Sequence, residues 1–285
     1  MRGLAEYAMT GRRQAVTVAI LLGLIPLLGI LSGAIVALVT MRKGVQEGFL
    51  VLLWALLPAG LQWVMGDSSP VLMLFAVLFL GALLRKTGSW PLLLVAVSVV
   101  GIMLQLSLLL QTDYINRLTE LLDGMMAQGM TLQLPENGQM VQASAEDAVD
   151  LMLGFYGLYH SMLFVSAVII GRYWQAMLYN PGGFRQEFQS LRIPPRLMLA
   201  LLVLVIAGLA GIQPLADWVP LLCIVPLFNA LAVIHAVVAS RKLGSVVLIL
   251  AYMVLLFMMP LIVAAGFIDS VVDFRRRLIR EQDTR

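Results

Sequence analysis

Residues 90–112 have the sequence WPLLLVAVSVVGIMLQLSLLLQT, which contains no Asp, Glu, Lys or Arg. A helix that spans the hydrocarbon core of a bilayer needs roughly 20 predominantly apolar residues. The strands of a membrane β-barrel alternate apolar and polar residues, and this stretch does not alternate. It therefore predicts a membrane-spanning helix, which satisfies its backbone hydrogen bonds within the segment itself.

Seven further stretches of the chain also lack charged residues. They cover 14–41, 48–66, 70–84, 151–171, 197–216, 218–240 and 243–268. Of the 285 residues, 61% are hydrophobic and 12% are charged, and the mean hydropathy is +0.94. Soluble domains carry about 45–50% apolar and about 25% charged residues. The sequence thus predicts an all-α, polytopic transmembrane helical bundle with about eight spans.

Two polar loops orient the predicted helices. Residues 113–150 carry seven acidic residues and one arginine, whereas residues 172–196 carry four arginines and one glutamate. Because Lys and Arg concentrate on the cytoplasmic side, we expect the first loop outside and the second loop inside. The net charge of +3 then reflects topology, and no nucleic-acid partner is expected.

The first and last apolar stretches allow two topologies each. A single crossing by 14–41 places Arg12 and Arg13 outside, against the positive-inside rule. Pro26 and Gly29 lie in the middle of that segment and favour a broken hairpin that returns the N-terminus to the cytoplasm. Pro260 is a similar candidate break in residues 243–268, and the side of the C-terminus stays open.

The acidic loop contains apolar residues at helical spacing. They are Ile115, Leu118, Leu121, Leu122, Met125 and Met126. Polar residues fill the opposite side, so the segment 115–126 predicts an amphipathic helix. Such a helix would lie on the outer membrane surface or across the mouth of the bundle.

Polar groups inside spans are costly in lipid and often mark functional sites. Tyr156, Tyr159 and His160 lie close together on one predicted helix, and Asp150 lies one or two turns above them. These four residues are the candidate ligand-binding residues of an outward-facing pocket. In the alternative interpretation, the tyrosines belong to the interfacial aromatic belt and His160 hydrogen-bonds to a neighbouring helix.

No catalytic or metal-binding pattern stands out in the sequence. The two histidines, His160 and His235, are far apart and lack clustered carboxylate or cysteine ligands, and the one cysteine, Cys223, lies inside an apolar span. No phosphate-binding loop or nucleophile motif is present. We therefore expect no catalytic residues, no metal and no cofactor.

Interhelical hydrogen bonding is expected for Gln105, Ser107, Asn229 and His235.

A stripe of small residues begins the first apolar segment. Ala15, Ala19 and Gly23 recur every four residues, a spacing that lets another helix approach closely. These three positions are the candidate partner-docking residues.

Several local patterns carry a resemblance to a known family. They are Ala15-x-x-x-Ala19, Pro26, Arg42-Lys43-Gly44-x-x-x-Gly48, Gly171-Arg172-Tyr173-Trp174 and the ending Gly266-Phe267-Ile268-Asp269…Asp273-Phe274-Arg275. Together these patterns resemble the YybS-like family of bacterial membrane proteins. That family is regarded as related to the substrate-binding S components of energy-coupling-factor transporters.

The resemblance implies a single polytopic domain, 1–285, in the bacterial inner (cytoplasmic) membrane. Its S-component-like core would cover about 14–172, with both ends of the core cytoplasmic and a ligand pocket near the outer face. Ala15 and Ala19 match the stripe on which S components dock a transmembrane coupling subunit that works with ATPases. The helices at 197–268 and the polar tail 269–285 depart from a minimal S component.

Two functions follow as expectations. The leading hypothesis is a small-molecule-binding or transport subunit of S-component type that acts with a separate ATPase module. The rival is a non-transporting scaffold or assembly factor whose charged loops and Arg275–Arg285 tail bind proteins or anionic membrane lipid. A membrane-embedded enzyme is a third class, and no visible catalytic pair supports it.

Overall fold

The computed structural model describes residues 2–136 and 139–275. Up to Ala127 it is almost entirely helical. The helices are α1 (Arg2–Thr10), α2 (Arg12–Gly23), α3 (Gly29–Lys43), α4 (Val45–Val64), α5 (Ser69–Thr87), α6 (Trp90–Leu109) and α7 (Thr112–Ala127). A short antiparallel hairpin, β1 (Gln133–Glu136) and β2 (Gln139–Gln142), follows and is the only β structure in the described residues.

The second half is helical as well. Its helices are α8 (Ala145–Tyr179), α9 (Gly183–Gln189), α10 (Pro195–Leu209), α11 (Leu215–Leu222), α12 (Ile224–Ser240) and α13 (Ser245–Val272). The predicted all-α polytopic bundle is confirmed.

Six helical segments of the described residues are long and apolar enough to cross a membrane, and a bent α13 would make a seventh. The chain is thus a multi-pass integral membrane protein. The predicted count of about eight is reached only if α10 is included. With 15 residues, α10 is about 22 Å long, shorter than the hydrocarbon core of roughly 30 Å.

The first apolar segment folds back on itself, as the sequence predicts. A 3-10 turn, Pro26–Leu28, separates α2 from α3, because proline has no backbone N–H to continue the first helix. Ser32 Oγ then donates to the carbonyl of Ala19 at 2.8 Å across the hairpin. The side chain of Gln62 in α4 donates to the carbonyl of Gly23 at 2.7 Å and fixes the turn.

Basic residues gather at one end of the bundle, called here the basic end. Arg12 at the start of α2 pairs with Glu47 at the start of α4, with Nε 2.9 Å from Oε2. Arg85 at the end of α5 donates to the carbonyl of Met41 in α3 at 2.7 Å. These contacts place α2, α3, α4 and α5 with their charged ends together.

The opposite end, called here the acidic end, carries α7 and the β hairpin. The predicted amphipathic helix is confirmed as α7, and Ile115, Leu118 and Leu122 pack against a small core. That core is formed by Leu108 of α6 and by Val149 and Leu153 of α8. The acidic helix therefore lies against the first turns of α8.

Helix α8 makes close backbone contacts with two earlier helices. A Cβ on Gly157 would lie 2.5 Å from the carbonyl oxygen of Gly101 in α6. A Cβ on Gly171 would lie 2.8 Å from the carbonyl oxygen of Ala34 in α3. Both distances are below van der Waals contact, so only glycine permits α8 to pack at this depth.

The last apolar segment is also broken. Within α13, the stretches Val246–Val254 and Phe257–Val272 meet at 102°, and Met258 has non-helical φ −122° and ψ 29°. Pro260 accounts for the break, because its ring clashes with the preceding turn. The end of α13 returns to the loop between α9 and α10. The described C-terminal residues therefore lie at the basic end, while Arg276, Arg277 and Arg280 of the predicted basic tail lie outside the described residues.

A buried polar cluster, called here the C-terminal clasp, consists of Asn229, Asp269 and Arg275, which are 0%, 3% and 5% exposed. Arg275 Nη2 lies 2.8 Å from Asp269 Oδ2 and 3.3 Å from Asn229 Oδ1. Arg275 Nη1 donates to the carbonyls of Gln189 and Leu191. The clasp thus joins α12, α13 and the loop after α9, and Asn229 does bond to a neighbouring helix.

This arrangement predicts which positions share a side of the membrane. In a Cys223→Ser background, cysteines introduced as Arg13→Cys and Lys86→Cys should react with a membrane-impermeant maleimide from one side. Asp123→Cys in α7 should react only from the other side, and Cys223→Ser alone should remain unlabelled. Labelling of Arg13→Cys from the same side as Asp123→Cys would contradict the hairpin.

Candidate functional site

The predicted partner-docking stripe lies inside the protein. Ala15 and Ala19 are 1% and 0% exposed, and Gly23 is also buried. A Cβ on Gly23 would meet the ring of Pro58 in α4 at 2.8 Å. The chain's own hairpin and α4 cover the stripe, so the close approach that its spacing permits is made within the protein. A partner subunit would find no open surface at these three positions.

His160 is held by a neighbouring helix. Its Nδ1 lies 2.9 Å from the carbonyl oxygen of Tyr156, and its Nε2 lies 3.0 Å from Ser69 Oγ at the start of α5. The imidazole is 1% exposed, and the rings of Tyr156 and Tyr159 stand 4.1 Å and 5.1 Å away. This geometry matches the alternative interpretation, in which His160 forms an interhelical hydrogen bond.

Asp150 does not join these residues. It is exposed and borders a separate cavity of about 490 Å³ between α7 and α8. The lining of that cavity is Ile115, Asn116, Thr119, Glu120, Glu146, Val149 and Asp150. Ten residues of helix turn Asp150 about 80° away from His160 around the axis of α8. The predicted four-residue pocket is therefore not formed as one site.

A larger cavity, called here the aromatic cavity, lies at the basic end between α8, α9, α12 and α13. Its volume is about 600 Å³, within the range of about 300–1,000 Å³ typical of small-molecule sites. Its lining is mostly apolar and is formed by Ile169, Tyr173, Phe184, Arg185, Phe188, Gln189, Phe228, Leu231, His235, Val238, Ala239, Leu243, Leu248 and Tyr252.

Helix α9 forms one wall of the aromatic cavity because of a sharp turn before it. The sequence Asn180-Pro181-Gly182-Gly183 ends α8, and Gly182 has a φ of +86°, which favours glycine. Phe184 and Phe188 then lie one turn apart on α9, with their rings stacked at 6.0 Å. The reversal thus brings an aromatic face back against the end of α8.

Ionic and aromatic contacts hold α9 in place. Glu187 pairs with Arg172 of α8, with Arg172 Nε 3.0 Å from Oε2, and Trp90 of α6 donates its indole N–H to the same carboxylate at 3.4 Å. The Phe184 ring packs edge-on against Trp90 at 6.1 Å and against Tyr173 at 6.0 Å. The wall is therefore anchored to two long helices.

The opposite wall carries a paired histidine and tyrosine. His235 Nε2 lies 2.8 Å from the hydroxyl of Tyr252, so His235 also bonds to a neighbouring helix. The Phe188 ring stands perpendicular to the imidazole at 5.1 Å. The cavity thus combines an apolar interior with Arg185, Gln189 and this His–Tyr pair.

The aromatic cavity was not predicted from the sequence. The sequence does indicate the turn at 180–183 and the aromatic end of α8. The four-residue spacing of Phe184 and Phe188 also predicts a helix. Nothing in the sequence indicates that these residues meet His235 and Tyr252, which lie on later helices.

Within residues 2–136 and 139–275, no group of three or more His, Cys, Asp or Glu residues could hold a metal ion.

Comparison of the chain with models of protein families, with curated proteins and with solved structures gives no match. The resemblance to the YybS-like family stays a prediction from the sequence patterns. Function is therefore inferred from the residues and geometry of the sites themselves.

Proposed function

We propose that this protein is a non-catalytic membrane protein that binds a small amphipathic molecule in the aromatic cavity. The observation that carries the proposal is the cavity itself, a space of about 600 Å³ with an apolar lining and few polar groups. Ligand sites typically combine these features, because apolar contact provides affinity and a few polar groups fix orientation.

The chemistry of the lining supports binding rather than catalysis. Among the described residues that line the cavity there is no carboxylate, thiol, aliphatic hydroxyl or lysine. His235 is the one imidazole there, and it is paired with Tyr252. A nucleophile with an adjacent general base, which covalent catalysis requires, is not present in this lining.

The position of the cavity suits a ligand that comes from the membrane. Tyr173, Leu243 and Tyr252 line it and are 49%, 44% and 43% exposed, so the cavity is open at the side of the bundle. Tyrosine is enriched at membrane interfaces, where one end of the ring system is apolar and the other is wet. A molecule in the adjoining leaflet can thus enter without crossing the protein.

Filling the cavity tests this proposal. Leu231→Trp adds volume at the cavity wall and should abolish a co-purifying small molecule, detected by native mass spectrometry after extraction in mild detergent. Leu199→Trp on α10 is the matched control, because Leu199 is 63% exposed and lies outside the cavity. A ligand-free wild type, or equal ligand occupancy in Leu231→Trp and wild type, would contradict the proposal.

A transport subunit of S-component type is the second candidate. The broken first segment supports it, as does α7 over the cavity of about 490 Å³ at the acidic end. The burial of Ala15 and Ala19 counts against docking of a coupling subunit on that stripe. Co-purification of a coupling subunit with ATPases in the same experiment would favour this candidate, and their absence with a bound amphiphile would favour the first.

A further inference from the structure

We propose that the ligand of the aromatic cavity is an anionic amphiphile of the membrane, with an apolar chain in the cavity and a phosphate-type head at Arg185. This inference rests on the proposed function and specifies its ligand class. It combines three features of the described residues that line this cavity: an apolar interior, one charged residue, Arg185, and the histidine His235, which can offer a ring nitrogen to a ligand.

The inner part of the cavity is apolar on three helices. Ile169 of α8, Phe228 and Leu231 of α12 and Leu248 of α13 all line it. Removing apolar surface from water or from a polar head region is favourable, whereas burying a polar group here would leave it without hydrogen bonds. This part of the site therefore accepts a hydrocarbon chain.

Arg185 is the only charged residue among the described residues that line the cavity. It forms no ion pair within residues 2–136 and 139–275. The carboxylate closest to it in sequence, Glu187, is already engaged by Arg172 and by the Trp90 indole. The guanidinium thus lacks a counter-ion, and its planar set of donors matches phosphate or carboxylate oxygens.

His235 provides a second polar group. Its Nε2 is engaged by the Tyr252 hydroxyl at 2.8 Å, and its Nδ1 has no hydrogen-bond partner in the part of the chain that the structure describes. When the hydroxyl donates to Nε2, the ring proton resides on Nδ1 and makes that nitrogen a donor. In that tautomer an anionic head fits both Arg185 and His235, whereas a cationic head would be repelled by the Arg185 guanidinium.

The surroundings of the cavity favour a membrane source for the anion. At the basic end Glu47 and Glu187 are ion-paired with arginines, and Arg13, Lys43 and Lys86 have no ion pair within the described ranges. An excess of positive charge at a membrane surface concentrates anionic lipids there. A small soluble anion would make no contact with the apolar interior of the cavity. The ligand that fits both parts of the site therefore carries a hydrocarbon chain as well as an anionic head.

Three probes with the same hydrocarbon chain and with anionic, neutral or cationic head groups test which head-group charge the cavity prefers. The purified full-length protein, held in amphipol, is titrated with dodecyl phosphate, dodecanol and dodecyltrimethylammonium, and the Kd and the shift in Tm are measured. We expect dodecyl phosphate to bind about tenfold or more tightly than dodecanol, because hydrogen bonds to charged groups are the strong ones. Dodecyltrimethylammonium should bind most weakly.

Charge variants locate the head. Arg185→Glu should remove the preference for dodecyl phosphate, and Arg185→Lys should retain most of it. Arg196→Glu is the matched control, because Arg196 is an exposed arginine of the same end and does not line the cavity. It should bind the probes as the wild type does.

The outcomes separate this inference from the proposed function. Equal or tighter binding of dodecanol or dodecyltrimethylammonium, or an Arg185→Glu variant with unchanged preference, would overturn the anionic head. If Leu231→Trp still weakens all three probes in that case, the cavity remains the binding site. If Leu231→Trp weakens none of them, the cavity is not the site and both proposals fail.

Discussion

Arg275→Ala is expected to lower the free energy of unfolding by about 3–5 kcal/mol, because it leaves the carboxylate of Asp269 buried without its cation. Asp269 is 3% exposed and lies 2.8 Å from the Arg275 guanidinium, so its carboxylate is largely removed from solvent and depends on this partner. The substitution also removes the donors to the carbonyls of Gln189 and Leu191. Detachment of the end of α13 from the α9–α10 loop should accompany the loss.

A second ion pair of the same region provides the control. Arg192 and Asp273 lie 2.7 Å apart, but their side chains are 52% and 30% exposed. Solvent-exposed pairs contribute about 0–1 kcal/mol, so Arg192→Ala should have a small effect. Unfolding is followed in mixed micelles as the fraction of denaturing detergent is raised. Equal effects of Arg275→Ala and Arg192→Ala would show that the C-terminal clasp is not a buried ion pair.

Gly157→Leu is expected to force α6 and α8 apart and to lower the free energy of unfolding by about 1–3 kcal/mol or more. The first atom added at this position, Cβ, already lies 2.5 Å from the Gly101 carbonyl oxygen, and backbone cannot rotate away as a side chain can. Separation of α6 from α8 should also loosen the small core between α7 and α8, because Leu108 of α6 is part of that core.

Gly154→Leu, one turn earlier on the same helix, is the matched control. No atom lies within 4 Å of a Cβ built on Gly154. Because leucine favours a helix over glycine by up to about 1 kcal/mol, this variant should be neutral or slightly stabilised. The comparison uses the same unfolding measurement, and cysteine cross-linking between α6 and α8 reports the helix separation. A Gly157→Leu variant as stable as Gly154→Leu would exclude the close contact.

The spans and their breaks were predictable because they depend on local chemistry. Charge-free stretches mark the helices, since lipid tolerates neither charges nor unpaired backbone groups. Pro26 indicates the first break and Pro260 is the candidate for the second, because a proline inside a helix removes a backbone hydrogen bond and crowds the preceding turn. Proline alone does not decide the matter, since Pro58 lies inside the continuous helix α4. The apolar spacing of α7 likewise depends only on residues within one helix. The side of the C-terminus, left open from the sequence, depends on contacts between distant segments, because Arg275 donates to the carbonyls of Gln189 and Leu191.

The candidate sites were harder to predict, because they depend on contacts between distant segments. The stripe at Ala15, Ala19 and Gly23 indicates close helix packing. The same spacing permits packing against another helix of this chain or against a helix of a partner, so the sequence does not distinguish the two. The structure places it against the chain's own helices. His160 and Asp150 share a helix without sharing a face, and the sequence does not reveal which face each neighbour covers. The aromatic cavity joins residues up to 83 positions apart along the chain, from Ile169 to Tyr252.

The two broken apolar segments have a consequence for how the protein is made. Because α2 turns back at Pro26 and α13 ends beside Leu191, both described ends of the chain lie at the basic end. Under the positive-inside rule, residues 110–144, between α6 and α8, are then an extended polar segment that we expect to be translocated during synthesis. That segment carries the acidic residues of α7 and little positive charge, so the same charge pattern that orients the mature bundle also lowers the barrier to its insertion.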